Sequence, residues 1–352
     1  MKQFFSKLIV LVILILFADS VLAAPNIVVL ATGGTISASS ESSTGSKYTA
    51  SQLMAEQLTA TVPNLSSIAN ILPEQFSQIS SQDMNREIWL KLAKRVNQLL
   101  QRQDVDGIVI THGTDTMEET AYFLNLTVKS SKPVVLTGSM RPATSLSADG
   151  PLNLYNAVAV AADSKSANKG VLVAFNDYIY AARHVSKAHT TNAVGFKSDN
   201  FGPIGRVYYG NVKFYYKPLR LHTTKTVFDV STLDKLPQVD ILYGYADQST
   251  DLTAYLIGNQ EAQGIVFAGV GNGNIYKDSL ELAKQAALAG RIIVKSSRID
   301  RGNIVANAEV EDSKYGFITA DNLSPQKARI LLMLALTKTK EVNKIQELFD
   351  QY

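Results

Sequence analysis

Two short segments of the sequence carry hydroxyl groups where bond-breaking chemistry is feasible. Ala31-Thr32-Gly33-Gly34-Thr35-Ile36 follows an apolar run at 27–30. Two glycines permit a tight turn and let a ligand approach the backbone. Thr35 would then stand at the C-terminal edge of a strand. A threonine hydroxyl attacks an amide carbonyl once its proton is removed. The same residues also suit an ordinary strand-to-turn connection with a capping threonine, and the motif alone leaves the two readings level. A dinucleotide site fits less well, because the third glycine of that fingerprint is missing.

The second segment, Thr111-His112-Gly113-Thr114-Asp115-Thr116-Met117-Glu118-Glu119, also follows an apolar run and opens a helical pattern. Thr116 with Glu119 reads as a capping box, and Asp115 suits a helix start. The functional reading makes Thr114 a second hydroxyl and Asp115 a carboxylate for an ammonium group. Two Gly-Thr loops in one sheet are harder to explain by capping alone. A third glycine-rich stretch, Gly269-Val270-Gly271-Asn272-Gly273-Asn274, matches neither phosphate-loop pattern; Asn274 offers a neutral donor and acceptor. Lys187 has no local signature and reads as a surface lysine. Ser81-Gln82, ahead of the Trp89 helix, reads as an N-cap.

Other chemistries are excluded or fit poorly. The chain has no cysteine, so thiol catalysis, cysteine-ligated metals and disulfides drop out. The four histidines, His112, His184, His189 and His222, lack zinc-ligand spacing, and no Gly-x-Ser-x-Gly elbow is present. A net charge of +3 without a basic run gives nucleic acid or an anionic membrane no footprint.

The elements that must position these residues alternate between strand and helix. Strands are expected at 27–30, 108–110, 133–136 and 171–175, and helices at 88–100, 116–126 and 152–162. Such alternation predicts a parallel α/β sheet. The pattern changes between 177 and 221, where 207–214 reads as a hairpin turning at Gly210-Asn211. After a Thr-, Lys- and Pro-bearing stretch the alternation resumes, with strands at 241–243, 265–268 and 292–294 and helices at 280–288 and 325–337. The fold class is therefore α/β with two domains: a larger, mostly parallel N-terminal domain at 24–216, a linker at 217–238, and a smaller parallel-sheet domain at 239–352. The Ser-, Thr- and Gly-rich segment 37–48 follows the first strand's C-terminal end, where open α/β sheets place their crevice, and suits a mobile lid.

The N-terminus predicts an exported protein. Lys2 and Lys7 precede an unbroken apolar run at 8–17, and Val21-Leu22-Ala23 supplies small residues for cleavage after Ala23. The run is too short to span a bilayer comfortably, so no membrane attachment is expected once the leader is removed.

Taken together, these blocks make the sequence resemble the bacterial type II, periplasmic L-asparaginases from about residue 25 to 352. The matching stretches are 31–36, 81–84, 111–121, 147–156, 269–274 and 308–317. The resemblance implies hydrolysis of L-asparagine without a cofactor or metal. It implies that Thr35 is the nucleophile forming an acyl-enzyme and Tyr48 the lid tyrosine bonded to it. Thr114, Asp115 and Lys187 would form a second triad, with Asp115 also binding the α-ammonium. Ser81 and Gln82 would contact the α-carboxylate and α-amino groups. Asn274 and Glu309 would come from a neighbouring subunit of a homotetramer. Some relatives carry a disulfide, and Ser130 stands where one of its cysteines would lie. Two other readings remain: an asparaginase-glutaminase of broad specificity, and a periplasmic amino-acid-binding protein that would not need Thr35, Thr114 and Lys187 together.

Overall fold

The computed structural model describes residues 23–45, 47–259 and 261–352. The expected leader, residues 1–22, lies outside them. Among the described residues no helix is long and apolar enough to cross a membrane.

In chain order the first domain contains β1 (Asn26–Gly33), α1 (Ala55–Ala60), β2 (Asn70–Ile79), α2 (Arg86–Gln101), β3 (Gly107–Thr111), α3 (Met117–Thr127), β4 (Val134–Thr137), α4 (Gly150–Ala162), β5 (Val171–Phe175) and β6 (Tyr178–Ala181). The short strands β7 (Ser186–Lys187) and β8 (Phe196–Lys197) and the hairpin β9 (Gly205–Tyr208) and β10 (Asn211–Phe214) follow. The second domain contains β11 (Gln238–Tyr243), α5 (Thr250–Gly258), β12 (Ala262–Gly269), α6 (Lys277–Leu288), β13 (Ile292–Ser297), α7 (Asp312–Tyr315), β14 (Ile318–Thr319), α8 (Pro325–Ala335) and α9 (Val342–Gln351).

The large sheet runs β10-β9-β6-β5-β4-β3-β1-β2. Its pairings from β2 through β5 are parallel, and those from β5 through β10 antiparallel. The second sheet, β11-β12-β13-β14, is wholly parallel. Both domains thus have the α/β architecture that the alternation predicts. Parallel strands covered on both faces read as unbroken apolar runs, and β3 and β5 are buried at every position. Side chains alternate across the first sheet. Val28, Leu30, Ile108 and Ile110 pack against α2 and α3, while Ile27, Val29 and Val109 pack under α4. The first of these cores continues without a break into α8, α9 and the second sheet.

The change of pattern after residue 177 corresponds to three antiparallel strands added to the first sheet. Two local expectations need correction. The hairpin turn is Tyr209-Gly210, both at positive φ (45° and 80°), not Gly210-Asn211. Helix α2 is capped by Asn85, whose side chain accepts the N–H groups of Glu87 and Ile88, not by Ser81. Residues 217–238 are mostly irregular but closely packed: Phe228, Val230 and Leu236 are buried, and the Thr226 hydroxyl donates to the Leu126 carbonyl at 2.6 Å.

In the second domain Lys295 Nζ donates to Asp312 Oδ1 at 2.7 Å, with both side chains 3% exposed. Asp312 also accepts the Asn307 N–H. Removing one partner of a buried pair strands the other charge, at a cost of about 3–5 kcal/mol. Asp312→Ala is therefore expected to lower unfolding free energy in urea by about that amount. A loss under 1 kcal/mol would show that Lys295 finds solvent without the carboxylate.

Candidate active site

The strand order β3-β1-β2 sets the C-terminal ends of three parallel strands side by side. The loops after them carry Thr114 and Asp115, Thr35, and Ser81 and Gln82 respectively. Gly33 and Gly34 turn the chain out of β1 with φ of +115° and +87°, a region L side chains rarely enter. Space is as restrictive as dihedral. A Cβ on Gly34 would lie 2.4 Å from the Gly113 backbone, and one on Gly113 would lie 2.6 Å from Ser81 Oγ. Glycine is required because the two Gly-Thr loops touch through their main chains.

Hydrogen bonds fix this packing. Ser51 Oγ accepts the Gly34 N–H at 2.9 Å and donates to the Ile79 carbonyl at 3.1 Å. Ser81 Oγ accepts the Asp115 N–H at 3.2 Å, and the Thr116 hydroxyl donates to the Ser81 carbonyl at 2.7 Å. The expected Thr116–Glu119 capping box is therefore absent: the Thr116 hydroxyl is committed to the neighbouring loop, and no side-chain cap bond forms.

His112 anchors the second loop from beneath. Its Nδ1 lies 2.7 Å from the Gly113 carbonyl oxygen, which only accepts, so Nδ1 carries the proton. Its Nε2 therefore accepts from the Thr120 hydroxyl at 3.0 Å, and Thr120 accepts the Trp89 indole N–H at 2.9 Å. Full burial pushes the imidazole down to about 4, so it stays neutral. Sequence spacing dismissed this histidine as a metal ligand but gave it no role.

The functional groups converge on a cleft of about 430 Å³ lined by Thr35, Tyr48, Ser81, Gln82, Thr114, Asp115 and Lys187. Thr35 Oγ1 and Tyr48 Oη are 3.4 Å apart. Tyr48 ends the segment expected as a lid, whose base is closed by paired Ser39 and Thr49 and tied to the β4–α4 loop through Ser40 and Thr144. Lys187, on β7, donates to Thr114 Oγ1 at 2.9 Å and to Asp115 Oδ1 at 2.5 Å. Its side chain is only 18% exposed, so the surface-lysine reading is wrong. Met140 and Thr190 also line the cleft and were missed. Met140 was findable, since it follows the C-terminal end of β4, the next strand in the sheet; Thr190 has no local signal.

Asn274 and Glu309 are not among the residues lining this cleft. They meet each other instead: Asn274 Nδ2 donates to Glu309 Oε1 at 2.9 Å, and Glu309 is exposed.

Two adjacent hydroxyl-bearing loops, one facing a tyrosine and the other a lysine–aspartate pair, supply the group types that a hydrolase using nucleophilic attack needs. Comparison with known proteins agrees. Residues 26–220 match the family model "Asparaginase, N-terminal", and residues 238–349 match "Glutaminase/Asparaginase C-terminal domain". The chain is 51% identical over 350 residues to L-asparaginase 2 of Escherichia coli, covering 99% of this chain and 100% of that protein. It is 52% identical over 328 residues to a probable periplasmic L-asparaginase of Haemophilus influenzae, covering 93% of each. A crystal structure of a probable cytoplasmic L-asparaginase from Campylobacter jejuni superposes with a TM-score of 0.90 at 47% identity, over 93% of this chain and 100% of that one. The chain belongs to the asparaginase family, and it is an amidohydrolase.

Gly34→Ala is expected to cost at least about 2 kcal/mol, from left-handed strain plus the clash with Gly113, and to abolish activity. Gly271→Ala, at φ +52° with open space around it, should cost only about 1 kcal/mol. Equal losses in denaturant unfolding would refute the loop contact. His112 makes a second expectation. The unfolded state takes up its proton near 6.5 and the folded state near 4. Its stabilising contribution is therefore present above pH 6.5 and lost as pH falls towards 4, about 3 kcal/mol in all. His112→Gln should flatten the stability-versus-pH curve across that window. An unchanged slope would mean that other groups carry it.

Proposed function

We propose that this chain hydrolyses L-asparagine to L-aspartate and ammonia through an acyl-enzyme on Thr35. The observation that supports this most is the pairing of two threonine hydroxyls in one cleft, each with its own polar partner. Tyr48 is the hydroxyl within hydrogen-bonding distance of Thr35 Oγ1, so it is the first group able to hold the nucleophile's proton. Thr114 Oγ1 accepts from the Lys187 ammonium. That leaves the Thr114 proton free to point into the cleft, and the nearby positive charge makes it easier to give up. Thr35 Oγ1 attacks the amide carbon as its proton is relayed across the cleft by way of Tyr48, the C–N bond breaks, and the nitrogen leaves as ammonia with a proton from Thr114, which the relayed proton replaces. Water then attacks the ester, one of its protons returns by the same route to Thr35 Oγ1, and aspartate is released.

The substrate is a zwitterion. Asp115, more than half exposed in the cleft, suits its α-ammonium, while Ser81 and Gln82 suit the α-carboxylate and α-amino groups. Asn274 and Glu309 complete the site from a neighbouring subunit of a homotetramer; their absence from the lining of their own chain's cleft supports that arrangement. The periplasmic description of one relative and the basic, apolar N-terminal sequence support export to the periplasm. Glutamine differs from asparagine by one methylene, a distinction typically worth about 1–3 kcal/mol. Comparing kcat/KM for the two amides measures the preference, and equal values would replace asparaginase with a broad amidase.

Thr35→Ala is expected to bind asparagine but to lose ammonia release by about a thousandfold or more. Retention of wild-type turnover would move the nucleophile to Thr114. Co-refolding Thr35→Ala with Glu309→Ala should restore part of the activity that each lacks alone, since some sites then combine an intact Thr35 with an intact Glu309. Mixed oligomers without recovered activity would confine each site to one chain.

A further inference from the structure

Lys187 reaches Thr114 from a two-residue strand paired only with β8, which is slender support for a group that must be placed to within about 0.5 Å. The rest of its support comes from elsewhere. The Lys187 backbone N–H donates to Glu118 Oε2 at 2.6 Å. Glu118 lies in the first turn of α3, three residues after Asp115, and is 5% exposed. Its other oxygen, Oε1, accepts from Gln326 Nε2 at 2.5 Å. Gln326 belongs to the first turn of α8, in the second domain. The next residue, Lys327, is 2% exposed, and its ammonium donates to the carbonyls of Arg183 (3.1 Å) and Val185. Those carbonyls belong to the segment that leads into Lys187. One helical turn of the second domain therefore grips both the carboxylate that holds Lys187 and the chain that delivers it.

We propose that Glu118, backed by Gln326 and Lys327, is a positioning residue that sets the reach of Lys187 Nζ to Thr114 Oγ1. Glu118 does not face the cleft and is not among its lining residues. It acts because one carboxylate links the Thr114–Asp115 loop, through the start of α3, to the backbone of Lys187. The second domain thereby becomes part of the first domain's proton path as well as a source of residues for a neighbour. Burial pushes the Lys327 ammonium down to about 8, against the opposing pull of Glu118. A neutral amine would still donate to both carbonyls, so the grip does not depend on that charge. The inference rests on the reading of Lys187 as part of the proton path.

The test is steady-state kinetics of the full-length protein with L-asparagine, with rates expressed per folded molecule. Glu118→Ala should lower kcat by about tenfold or more while KM stays within about threefold, because misplacement of a catalytic group costs rate more than binding. Glu118→Gln should return kcat to within about threefold of wild type. Its carbonyl accepts the Lys187 N–H, and its amide donates to a turned Gln326 side chain. Equal losses in Ala and Gln would overturn the proposal, as would an unchanged kcat with only a lower Tm. If Glu118→Ala fails to fold, Gln326→Leu decides: a several-fold drop in kcat at constant KM supports the coupling, and wild-type kcat overturns it. Lys187→Met separates the two levels. Full activity in that variant sinks the role of Lys187 itself, whereas an inactive Lys187→Met beside a fully active Glu118→Ala sinks only the positioning.

Discussion

The contact on which the site depends is between two main chains, Gly34 against Gly113. It exists because β1 lies between β3 and β2 in a parallel sheet, so the loops leaving the three strands emerge at one edge. Parallel strands pointing the same way concentrate their loops at the carboxyl ends, which is why open α/β sheets bind ligands there. Here the crowding is extreme enough that no side chain fits between the first two loops. Thr35 and Thr114, each the residue after a glycine, are brought into one cleft as a consequence.

The scaffold beneath this contact is rigid for reasons that can be traced to individual groups. Ser51 and Ser81 spend their hydroxyls on neighbouring backbone, and Thr116 does the same. A directional chain from Trp89 through Thr120 to His112 holds the Gly113 carbonyl. Each buried polar group in that chain has its partner, as burial demands. The cleft side differs: Tyr48 and Asp115 are about half exposed, and the Thr35–Tyr48 contact is long at 3.4 Å. Preorganised backbone thus supports side chains that still have room to close on a substrate.

How much of this the sequence revealed follows from where each residue's partners lie. Strands β1, β3 and β5 were legible because burial on both faces makes them continuous apolar runs. Strand β2 was not, because it is an edge strand carrying Pro73, Glu74 and Gln75, and edges tolerate proline and charge. Helices α5 and α9 also went unseen. Thr35 and Thr114 were marked by their glycines, a local feature with a local cause. Lys187 has no such mark; its meaning comes from Thr114 and Asp115, more than 70 positions away. Without the family resemblance it would have remained a surface lysine. The capping box at Thr116 failed for the same reason, since the hydroxyl turns to a long-range acceptor, the Ser81 carbonyl, and away from the local Glu119 N–H that a capping box would supply.

In the proposed reaction the Thr35 hydroxyl, presented at the Gly34–Gly113 contact, becomes covalently bonded to substrate. Rapid acid quenching of the protein during turnover of L-asparagine, followed by peptide mass spectrometry, tests this directly. An aspartyl ester, the mass of asparagine less ammonia, is expected on the peptide containing Thr35, and hydroxylamine should remove it. The ester on Thr114 instead, or ester-free protein at every quench time through the first turnovers, would contradict it.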